Sequence, residues 1–287
     1  MNLFHTLFQP MLIKEIDSPF DSKDYFFEIK YDGIRALIFA SSNSFKILSR
    51  YQKDITFLFP ELRKIQSLVN MPVIFDGEIV VFENGKSIFS KIQERISLKN
   101  EKKIYYSSQK EPTTFVAFDL LYEGKSLCDC PWIFRKNRLK RYPDTNYFIK
   151  SFGVDTYGIK LFQEIKKMGL EGIIAKKKNS IYETNTRTDS WLKIKNYQIG
   201  KFWILGYSKK KNGLSLLLGE SKNHGYVSVG NVLVAFQNPI VEELMLSEKN
   251  EVNGIFYMKF YIKCQIKYLE KTSDGKLRHP IFLRKVN

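Results

Sequence analysis

Apolar and polar positions alternate in short runs along the first two thirds of the chain. Six of these runs are rich in β-branched or aromatic residues and end at turn residues, a pattern that predicts β-strands. The predicted strands are residues 25–39 with a turn at Asp32–Gly33, and residues 44–48, 73–82, 115–121, 172–176 and 191–195.

Two further segments have the spacing of amphipathic helices. In "IKLFQEIKKMG", Ile159, Phe162, Ile165 and Met168 fall on one helical face, and Gly169 is a suitable C-cap. "FLFPELRKIQSLV" predicts a second helix with a proline near its start. Strands and helices mixed in this order predict an α+β domain built around antiparallel sheets.

The pattern changes after Asn196. "KFWILGYSKKKNGLSLLLGE" predicts a hairpin, "GYVSVGNVLVAF" a third strand, "NPIVEELMLSEK" a helix, and the remainder two strands about an Asp274–Gly275 turn. Five short strands with one helix predict a small OB-type barrel. We therefore expect an α+β domain over residues 1–196 and an OB-fold domain over residues 197–287.

The composition adds a strong positive charge. The 287 residues carry a net charge of +16, with 32 basic against 23 acidic residues up to Asn196 and 14 against 7 after it. This excess favours a polyanionic partner such as nucleic acid, although a scattered surface charge would give the same total.

No apolar run reaches the length of a membrane span, and the N-terminus lacks signal-peptide features, so we expect a cytoplasmic protein. The three cysteines argue against a disulfide framework.

Charged residues interrupt the first long strand, "FFEIKYDGIRALIF". Glu28 and Lys30 lie two residues apart and therefore share a face, and Arg35 begins the next strand after the Asp32–Gly33 turn. A lysine placed beside a tight turn and an arginine can hold a phosphate or attack one. Taken alone, such a segment is more often an exposed hairpin whose charges are solvated.

Four other apolar strands carry charges on the face away from the core. Because burying unpaired charges is costly, we expect these groups to share one wet cleft of mixed charge; each strand taken singly could instead be a half-exposed sheet edge. The groups are Asp76 and Glu78 in "FDGEIVVF", Asp119 beside Phe118 in "FVAFDLLY", Glu171 and Lys176 in "LEGIIAKK", and Lys193 and Lys195 in "WLKIK".

In this order, the segments resemble the motifs of the covalent nucleotidyltransferases: ATP-dependent DNA ligases, RNA ligases and mRNA capping enzymes. "EIKYDGIR" resembles the nucleophile motif, and Ser49–Arg50, "DGEIV", "FVAFDLLY", "EGIIAKK" and "WLKIK" are similar to the later motifs. "GKLRHPIFLRK" resembles the OB-domain motif that acts on the leaving pyrophosphate. The likeness covers nearly the whole chain and is greatest to the ligase module of bacterial end-joining DNA ligases.

This resemblance implies a nucleotidyltransferase (adenylation) domain of the ATP-grasp-like ligase type followed by an OB fold. It implies ATP as co-substrate with Mg²⁺ or Mn²⁺, and a three-step reaction. Lys30 takes AMP from ATP, AMP passes to the 5′-phosphate of a DNA break, and the 3′-hydroxyl displaces it. The expected partner is nicked or broken duplex DNA, bound without sequence preference.

The resemblance also implies roles for single residues. Glu28 accepts a hydrogen bond from the adenine amino group, and Phe118 stacks on adenine or, alternatively, only packs in the core. Arg35 and Arg50 contact ribose or phosphate, whereas Glu78 binds the ribose or metal and Glu171 binds metal. Lys193 and Lys195 contact the α-phosphate, and we expect their charge and that of a bound Mg²⁺ to lower the pKa of Lys30.

Two predictions concern basic residues outside the first motif. Arg278 and Arg284 are six apart, which in an extended strand gives one face. They orient the pyrophosphate when the OB domain closes or, alternatively, meet DNA or solvent. The lysine runs at 176–178 and 209–211 are predicted at strand ends, tracking DNA phosphates or merely solvated.

The expected context is a monomer associated with the nucleoid and active in DNA repair, recombination or non-homologous end joining, with a Ku-type end-binding protein as a possible partner. The alternatives are an RNA ligase, a GTP-dependent capping-type nucleotidyltransferase, or a non-catalytic OB-containing nucleic-acid-binding protein. The last predicts lost motif residues, whereas the principal ones are present.

Overall fold

The chain forms two compact units, Met1–Lys195 and Asn196–Asn287. The structure is a computed structural model that describes residue 4 and residues 6–223, 225–272 and 274–286. The strands of the first unit are β1 (Leu12–Glu15), β2 (Tyr25–Ile29), β3 (Ile34–Ala40), β4 (Phe45–Ser49), β5 (Val73–Val80), β6 (Phe82–Glu83), β7 (Lys86–Ser87), β8 (Thr114–Glu123), β9 (Phe148–Lys150), β10 (Gly153–Asp155), β11 (Gly172–Lys177) and β12 (Arg187–Lys195).

Helical segments of the first unit connect these strands. The α-helices are α1 (Phe89–Ser97), α2 (Glu101–Lys110), α3 (Trp132–Leu139) and α4 (Gly158–Met168). The predicted helix around Pro60 is instead two 3₁₀ segments, Thr56–Leu58 and Pro60–Leu68. The predicted C-cap of α4 is confirmed, because Gly169 has a φ of 65°. Its buried face is shifted from the predicted one: Leu161 is buried, whereas Met168 is exposed.

In its described residues, the first unit has two five-stranded sheets and the small β6–β7 pair. The first sheet has the order β1-β12-β11-β2-β10, and the second has the order β4-β3-β5-β8-β9. Their pairings are antiparallel except for β1 with β12 and β8 with β9. The predicted α+β architecture with mainly antiparallel sheets is confirmed.

The Asp32–Gly33 turn carries the chain from one sheet to the other. Strands β2 and β3 do not pair, since β2 lies between β11 and β10 and β3 lies between β4 and β5. A Cβ at Gly33 would lie 2.2 Å from the backbone oxygen of Ile79, so only glycine fits this close approach. The hairpin alternative for this segment is therefore wrong, and the turn separates Lys30 from Arg35 onto two sheets.

Apolar side chains cover the outer faces of both sheets. On the outer face of the first sheet, Phe27, Ile173 and Ile194 pack against α4. On the outer face of the second sheet, Ile38 and Phe75 belong to a larger cluster of buried apolar side chains. Between the sheets, aromatic side chains including Trp191 form a smaller core. The alternation of strand residues leaves Glu28 and Lys30 on the face opposite Phe27.

The second unit is one antiparallel sheet with a short helix. The described residues form six strands in this sheet, one more than predicted. Five of them have the order β15-β14-β13-β17-β16, and β18 pairs with β17. Bulges interrupt the pairing at Ile204/Gly206 and Leu218/Gly219, which bends the sheet around its core. The elements are β13 (Gln198–Lys210), β14 (Gly213–Lys222), β15 (Gly225–Ala235), α5 (Ile240–Leu246), β16 (Lys249–Val252), β17 (Ile255–Tyr268) and β18 (Ile281–Lys285).

Candidate active site

A cavity, called here the central cleft, opens between the two sheets of the first unit. It collects side chains from seven strands or their ends, although these strands are far apart in sequence. Five of the predicted site residues line it, namely Glu28, Lys30, Arg35, Glu78 and Phe118. The remaining lining residues are Ile13, Ile29, Tyr31, Ile174, Lys176 and Trp191.

Lys30 lies directly beyond β2 and is paired with an acid. Its Nζ donates to Oε2 of Glu171 at 2.6 Å. Burial alone would lower the pKa of Lys30, but Glu171, Glu78 and Asp32 together raise it above its ordinary value. The expectation that Lys193 and Lys195 lower this pKa is therefore wrong for this arrangement. The charges closest to the amine are carboxylates.

Glu78 has the most perturbed carboxyl of the cleft. Burial is the largest cause and, with the negative charge of Glu171, raises the pKa of Glu78 to about 8, against the opposing charges of Lys30 and Arg35. Glu78 pairs in register with Arg35 across β5 and β3, which explains why both side chains enter the cleft. A further cation bound beside this carboxyl would favour its ionised form.

The donor set around Lys30 fits Mg²⁺. The described residues contain no group of three or more His, Cys, Asp or Glu side chains able to hold a metal ion. Glu78 and Glu171 nevertheless interact electrostatically with each other and with Lys30. Mg²⁺ prefers one or two carboxylates completed by waters and substrate phosphates, so this pair suits a site completed by a nucleotide.

Lys193 and Lys195 share one acidic partner that the sequence interpretation missed. Their Nζ atoms lie 3.1 and 3.3 Å from Oε2 of Glu15. Glu15 is opposite Lys193 in the β1–β12 pairing. Lys195 is opposite Gly172, whose carbonyl accepts from the backbone nitrogen of Lys30. The two lysines thus lie on the Lys30 face of the sheet, although neither lines the central cleft.

Glu28 is clamped by two ammonium groups. It is 1% exposed, and its two carboxylate oxygens pair with Lys136 of α3 and with Lys176, the latter at 2.7 Å. Burial would raise the pKa of Glu28, but the two lysines lower it below its ordinary value. Lys136 also donates to the backbone oxygen of Ser151. No motif pointed to Lys136, because its contact with Glu28 spans 108 positions.

Lys176 lies at the end of β11 and lines the central cleft, as predicted, but it is buried and does not face DNA or solvent. It is 1% exposed, and its Nζ lies 4.3 Å from the ring centroid of Phe118 and 4.1 Å from that of Trp191. Burial lowers its pKa, although Glu28 opposes the shift. The ring of Phe118 therefore lines the cleft and also packs against the core. This position is compatible both with stacking on adenine and with core packing.

Two acids predicted for a wet cleft are instead fully buried in ion pairs. The carboxylate of Asp76 accepts hydrogen bonds from both Nε and Nη2 of Arg35, at 2.9 and 2.6 Å. Asp119 is bound in the same two-pronged way by Arg135, at 2.8 Å for each bond. Such pairs hold together the elements that carry them, β3 with β5 and β8 with α3, since removing one partner leaves a buried charge. The mixed-charge cleft is thus smaller than the sequence predicted.

The remaining predicted arginines lie elsewhere. Arg50 is exposed in the turn after β4, with its guanidinium 5.9 Å from the ring of Tyr51. In the second unit, Arg278 pairs with Glu270 at 3.0 Å and Arg284 lies on β18. The prediction that one extended strand holds both is wrong, because β18 begins only at Ile281, after a backbone φ of 50° at His279.

Comparison with known proteins gives consistent matches. The pattern of the ATP dependent DNA ligase domain matches residues 10–195. The SPbeta prophage-derived DNA ligase-like protein LigB of Bacillus subtilis (strain 168) is 31% identical over 278 residues, covering 95% of this chain and 97% of that protein. The multifunctional non-homologous end joining protein LigD of Mycolicibacterium smegmatis is 28% identical over 297 residues, which are 95% of this chain and 37% of that protein.

Solved structures give the same picture. A mycobacterial DNA ligase D complexed with ATP and MES is 26% identical and aligns with a TM-score of 0.61 over 98% of this chain and 95% of its own. A Lig E DNA ligase, at 17% identity, shares the fold with a TM-score of 0.67 over 98% of this chain and 100% of its own. Each helix in the described part of the chain is too short or too polar to span a lipid bilayer.

Proposed function

Because this chain belongs to the ATP-dependent DNA ligase family, we propose that Lys30 is the nucleophile that takes AMP from ATP. The protein is an ATP-dependent DNA ligase and its substrate is DNA. The observation that carries the assignment of Lys30 is its position: it lines the central cleft together with Glu28, Glu78 and Phe118, and its amine is held by Glu171.

The first step forms a bond between Nζ of Lys30 and the α-phosphorus of ATP. The bond from that phosphorus to the bridging oxygen breaks, and pyrophosphate leaves. The amine must lose a proton to attack, and the carboxylate of Glu171, 2.6 Å away, is the nearest acceptor. The phosphoramidate then passes AMP to the 5′-phosphate of a break, and attack by the 3′-hydroxyl releases AMP and seals the strand.

The other residues of the central cleft bind and orient the nucleotide in this proposal. Glu28 accepts a hydrogen bond from the adenine amino group through carboxylate lone pairs that Lys136 and Lys176 do not occupy. Phe118 packs against the base. Arg35 and Glu78 meet the ribose or a phosphate. A carboxylate that accepts from the adenine amine favours ATP over GTP, whose oxygen at that position cannot donate.

Lys193 and Lys195 exchange Glu15 for the α-phosphate when ATP binds. Ammonium groups at this place counter the charge that develops on phosphorus. Glu78 and Glu171 are the residues that would hold Mg²⁺, which supplies further charge neutralisation for the phosphates. Arg50, exposed on its turn, contacts the nucleotide or the 5′-phosphate of the break.

We assign residues 1–196 to adenylation and residues 197–287 to an OB-fold domain that takes part in pyrophosphate release and DNA binding. Arg278 and Arg284 orient the leaving pyrophosphate in this assignment. The division rests on the two compact units and on the charge of the second, where basic residues outnumber acidic ones by 14 to 7.

We further propose action in DNA repair or recombination, with non-homologous end joining as the specific setting. Support comes from the LigD relatives, whose names state end joining; the chain spans 37% of one of them but 97% of LigB. The proposal includes a monomer, a place with the nucleoid in the cytoplasm, and a Ku-type protein as partner. Nick sealing without such a partner is the alternative.

The test is mass spectrometry of the purified chain after incubation with ATP and Mg²⁺. One AMP should be added, and Lys30→Arg should abolish the addition, whereas Lys23→Arg, a surface control, should not. Incubation with GTP, and then with nicked DNA or nicked RNA, separates the DNA ligase from the capping and RNA ligase alternatives. Retention of AMP by Lys30→Arg would refute the assignment.

A further inference from the structure

A second cavity, called here the helix-pair groove, lies between α1 and α2. Its volume is about 430 Å³ and it shares no lining residue with the central cleft. Helix α1 contributes Lys91 and Arg95, spaced four apart, and α2 contributes Lys103, Tyr106 and Lys110, spaced three and four apart. These spacings place one face of each helix toward the same opening. The volume is in the range of small-ligand sites.

The floor of the helix-pair groove is rigid. Arg95 is 2% exposed and links the two helices, because its Nε donates to Oγ of Ser107 at 2.9 Å and its Nη2 donates to the backbone oxygen of Glu111 at 2.8 Å. Its Nη1 is held by Glu61 at 2.8 Å. The groove is therefore formed before any ligand arrives, which reduces the entropic cost of binding.

The rim of the helix-pair groove is positively charged. Five basic and two acidic side chains line it. Lys102, Lys103 and Lys110 are exposed and take part in none of the ion pairs between described residues. Ammonium groups with no carboxylate partner in the fold attract a polyanion at no cost of broken ion pairs. Lys91 differs, since it is paired with Glu111 at 3.0 Å.

An aromatic wall accompanies these charges. Tyr106 lines the helix-pair groove although it is 66% exposed, and the neighbouring Tyr105, equally exposed, does not line it. Lysines that follow a phosphate backbone and a ring that stacks on a base are the combination that binds single-stranded nucleic acid. In an intact duplex the bases are already stacked on each other, so a ring on this wall would find no partner.

We propose that the helix-pair groove binds an unpaired segment of a DNA strand, with a base stacked on Tyr106 and backbone phosphates bound by Lys103 and Lys110. The inference rests on the proposed function, because a ligase acting on broken DNA meets single-stranded overhangs. It adds a second DNA contact in the first unit, separate from the residues that activate ATP.

The decisive experiment compares the two adjacent tyrosines. Binding of a fluorescent oligothymidylate with a 5′-hydroxyl is measured by anisotropy on the full chain carrying Lys30→Ala, so that no adenylylation intervenes. Tyr106→Ala should weaken binding about fivefold or more, the loss expected for one stacked base. Tyr105→Ala should leave it unchanged, and Tyr106→Phe should restore it. Affinity for a blunt duplex of the same length should not change with Tyr106→Ala.

Salt dependence tests the phosphate contacts. The double variant Lys103→Ser and Lys110→Ser should reduce the slope of log affinity against log salt by about 1.4, the value for two phosphates on a single strand. The matched double variant Lys160→Ser and Lys166→Ser removes the same charge from exposed positions of α4 and should not change the slope. An equal change of slope for both double variants would mean that only general charge attraction binds the oligonucleotide, and this would overturn the proposal.

Two other outcomes would also overturn the inference: equal losses for Tyr105→Ala and Tyr106→Ala, or displacement of the oligonucleotide by inorganic phosphate as effectively as by unlabelled oligothymidylate. Sealing of a nicked duplex by the Tyr106→Ala variant with an intact Lys30 is the separate readout. If this sealing persists while oligonucleotide binding is unaffected, the groove proposal fails and the ligase function stands.

Discussion

Nζ of Lys30 and Oε2 of Glu171 lie 2.6 Å apart at the edge of the central cleft. This contact holds the amine as an ammonium ion, the form that cannot attack phosphorus. The amine must therefore give up a proton before the first chemical step, and Glu171 is the nearest acceptor. A cation held by Glu78 and Glu171 would favour this loss, because positive charge beside the amine disfavours the ammonium form. This would tie nucleophile activation to the arrival of ATP with its metal ion.

The first prediction concerns the pH dependence of self-adenylylation. Glu171 raises the pKa of Lys30, so Glu171→Gln should lower that pKa. The neutral amine then forms at lower pH, and the acid limb of the rate profile should move toward lower pH. The maximal rate should fall, because a proposed metal ligand is lost. Glu101→Gln, on the exposed start of α2, is the control and should leave the profile in place.

The second prediction concerns the buried partner of Glu28. Lys136→Met leaves Glu28 buried with Lys176 alone, and removing one member of such an ion pair costs roughly 3–5 kcal/mol. Urea unfolding should show this loss in the free energy of unfolding. Lys140→Met, at the exposed end of the same helix, should cost less than about 0.5 kcal/mol. Equal losses in the two variants would mean that the Glu28 contact contributes nothing.

The third prediction concerns the pH range in which Glu28 and its two lysine partners stabilise the fold. The pKa of Glu28 is lowered in the folded state, so its ionised form stabilises the fold above the unfolded carboxyl pKa of about 4.3. This contribution is lost as pH falls through the folded pKa. The difference in unfolding free energy between the parent and Glu28→Gln should be largest near neutral pH and shrink as the pH falls below about 4. A difference independent of pH would contradict it.

The fourth prediction separates two lysines on neighbouring strands. Lys193 shares Glu15 with Lys195, whereas Lys14 is half-exposed and pairs with Asp189. If Lys193 binds the α-phosphate, Lys193→Met should reduce kcat/KM for ATP by about tenfold or more, the loss of one charged hydrogen bond. Lys14→Met should change it less than twofold, because Lys14 lies opposite Leu192 in the β1–β12 pairing and therefore on the other face of the sheet.

The fifth prediction concerns the glycine between the nucleophile and Lys195. A Cβ at Gly172 would lie 2.1 Å from the backbone oxygen of Ile194, and its φ is 152°. Gly172→Ala should therefore push β11 and β12 apart and reduce both stability and self-adenylylation. Gly225→Ala is the control, because its nearest atom lies 3.8 Å away. Normal adenylylation by Gly172→Ala would show that this strand spacing is not required.

Local sequence pattern was sufficient for the main strands of the first unit and for the face that carries Lys30, but not for the segment around Pro60, which is 3₁₀ and not α-helical. The alternation in "FFEIKYDGIR" alone placed Glu28 and Lys30 on the polar face and Phe27 in the core, because a strand has a period of two. The C-cap at Gly169 followed from the left-handed backbone that a helix end favours. Both are decided by neighbours in the chain.

Only the tertiary structure decided which charges meet. Lys136 reaches Glu28 across 108 positions, and Glu15 reaches Lys193 and Lys195 because β1 pairs with the far end of the first unit. The sequence shows how many charges the polar faces carry but not their partners. In a buried site, the partner sets the pKa and the stability of each group, so the direction of the pKa shift of Lys30 required the fold.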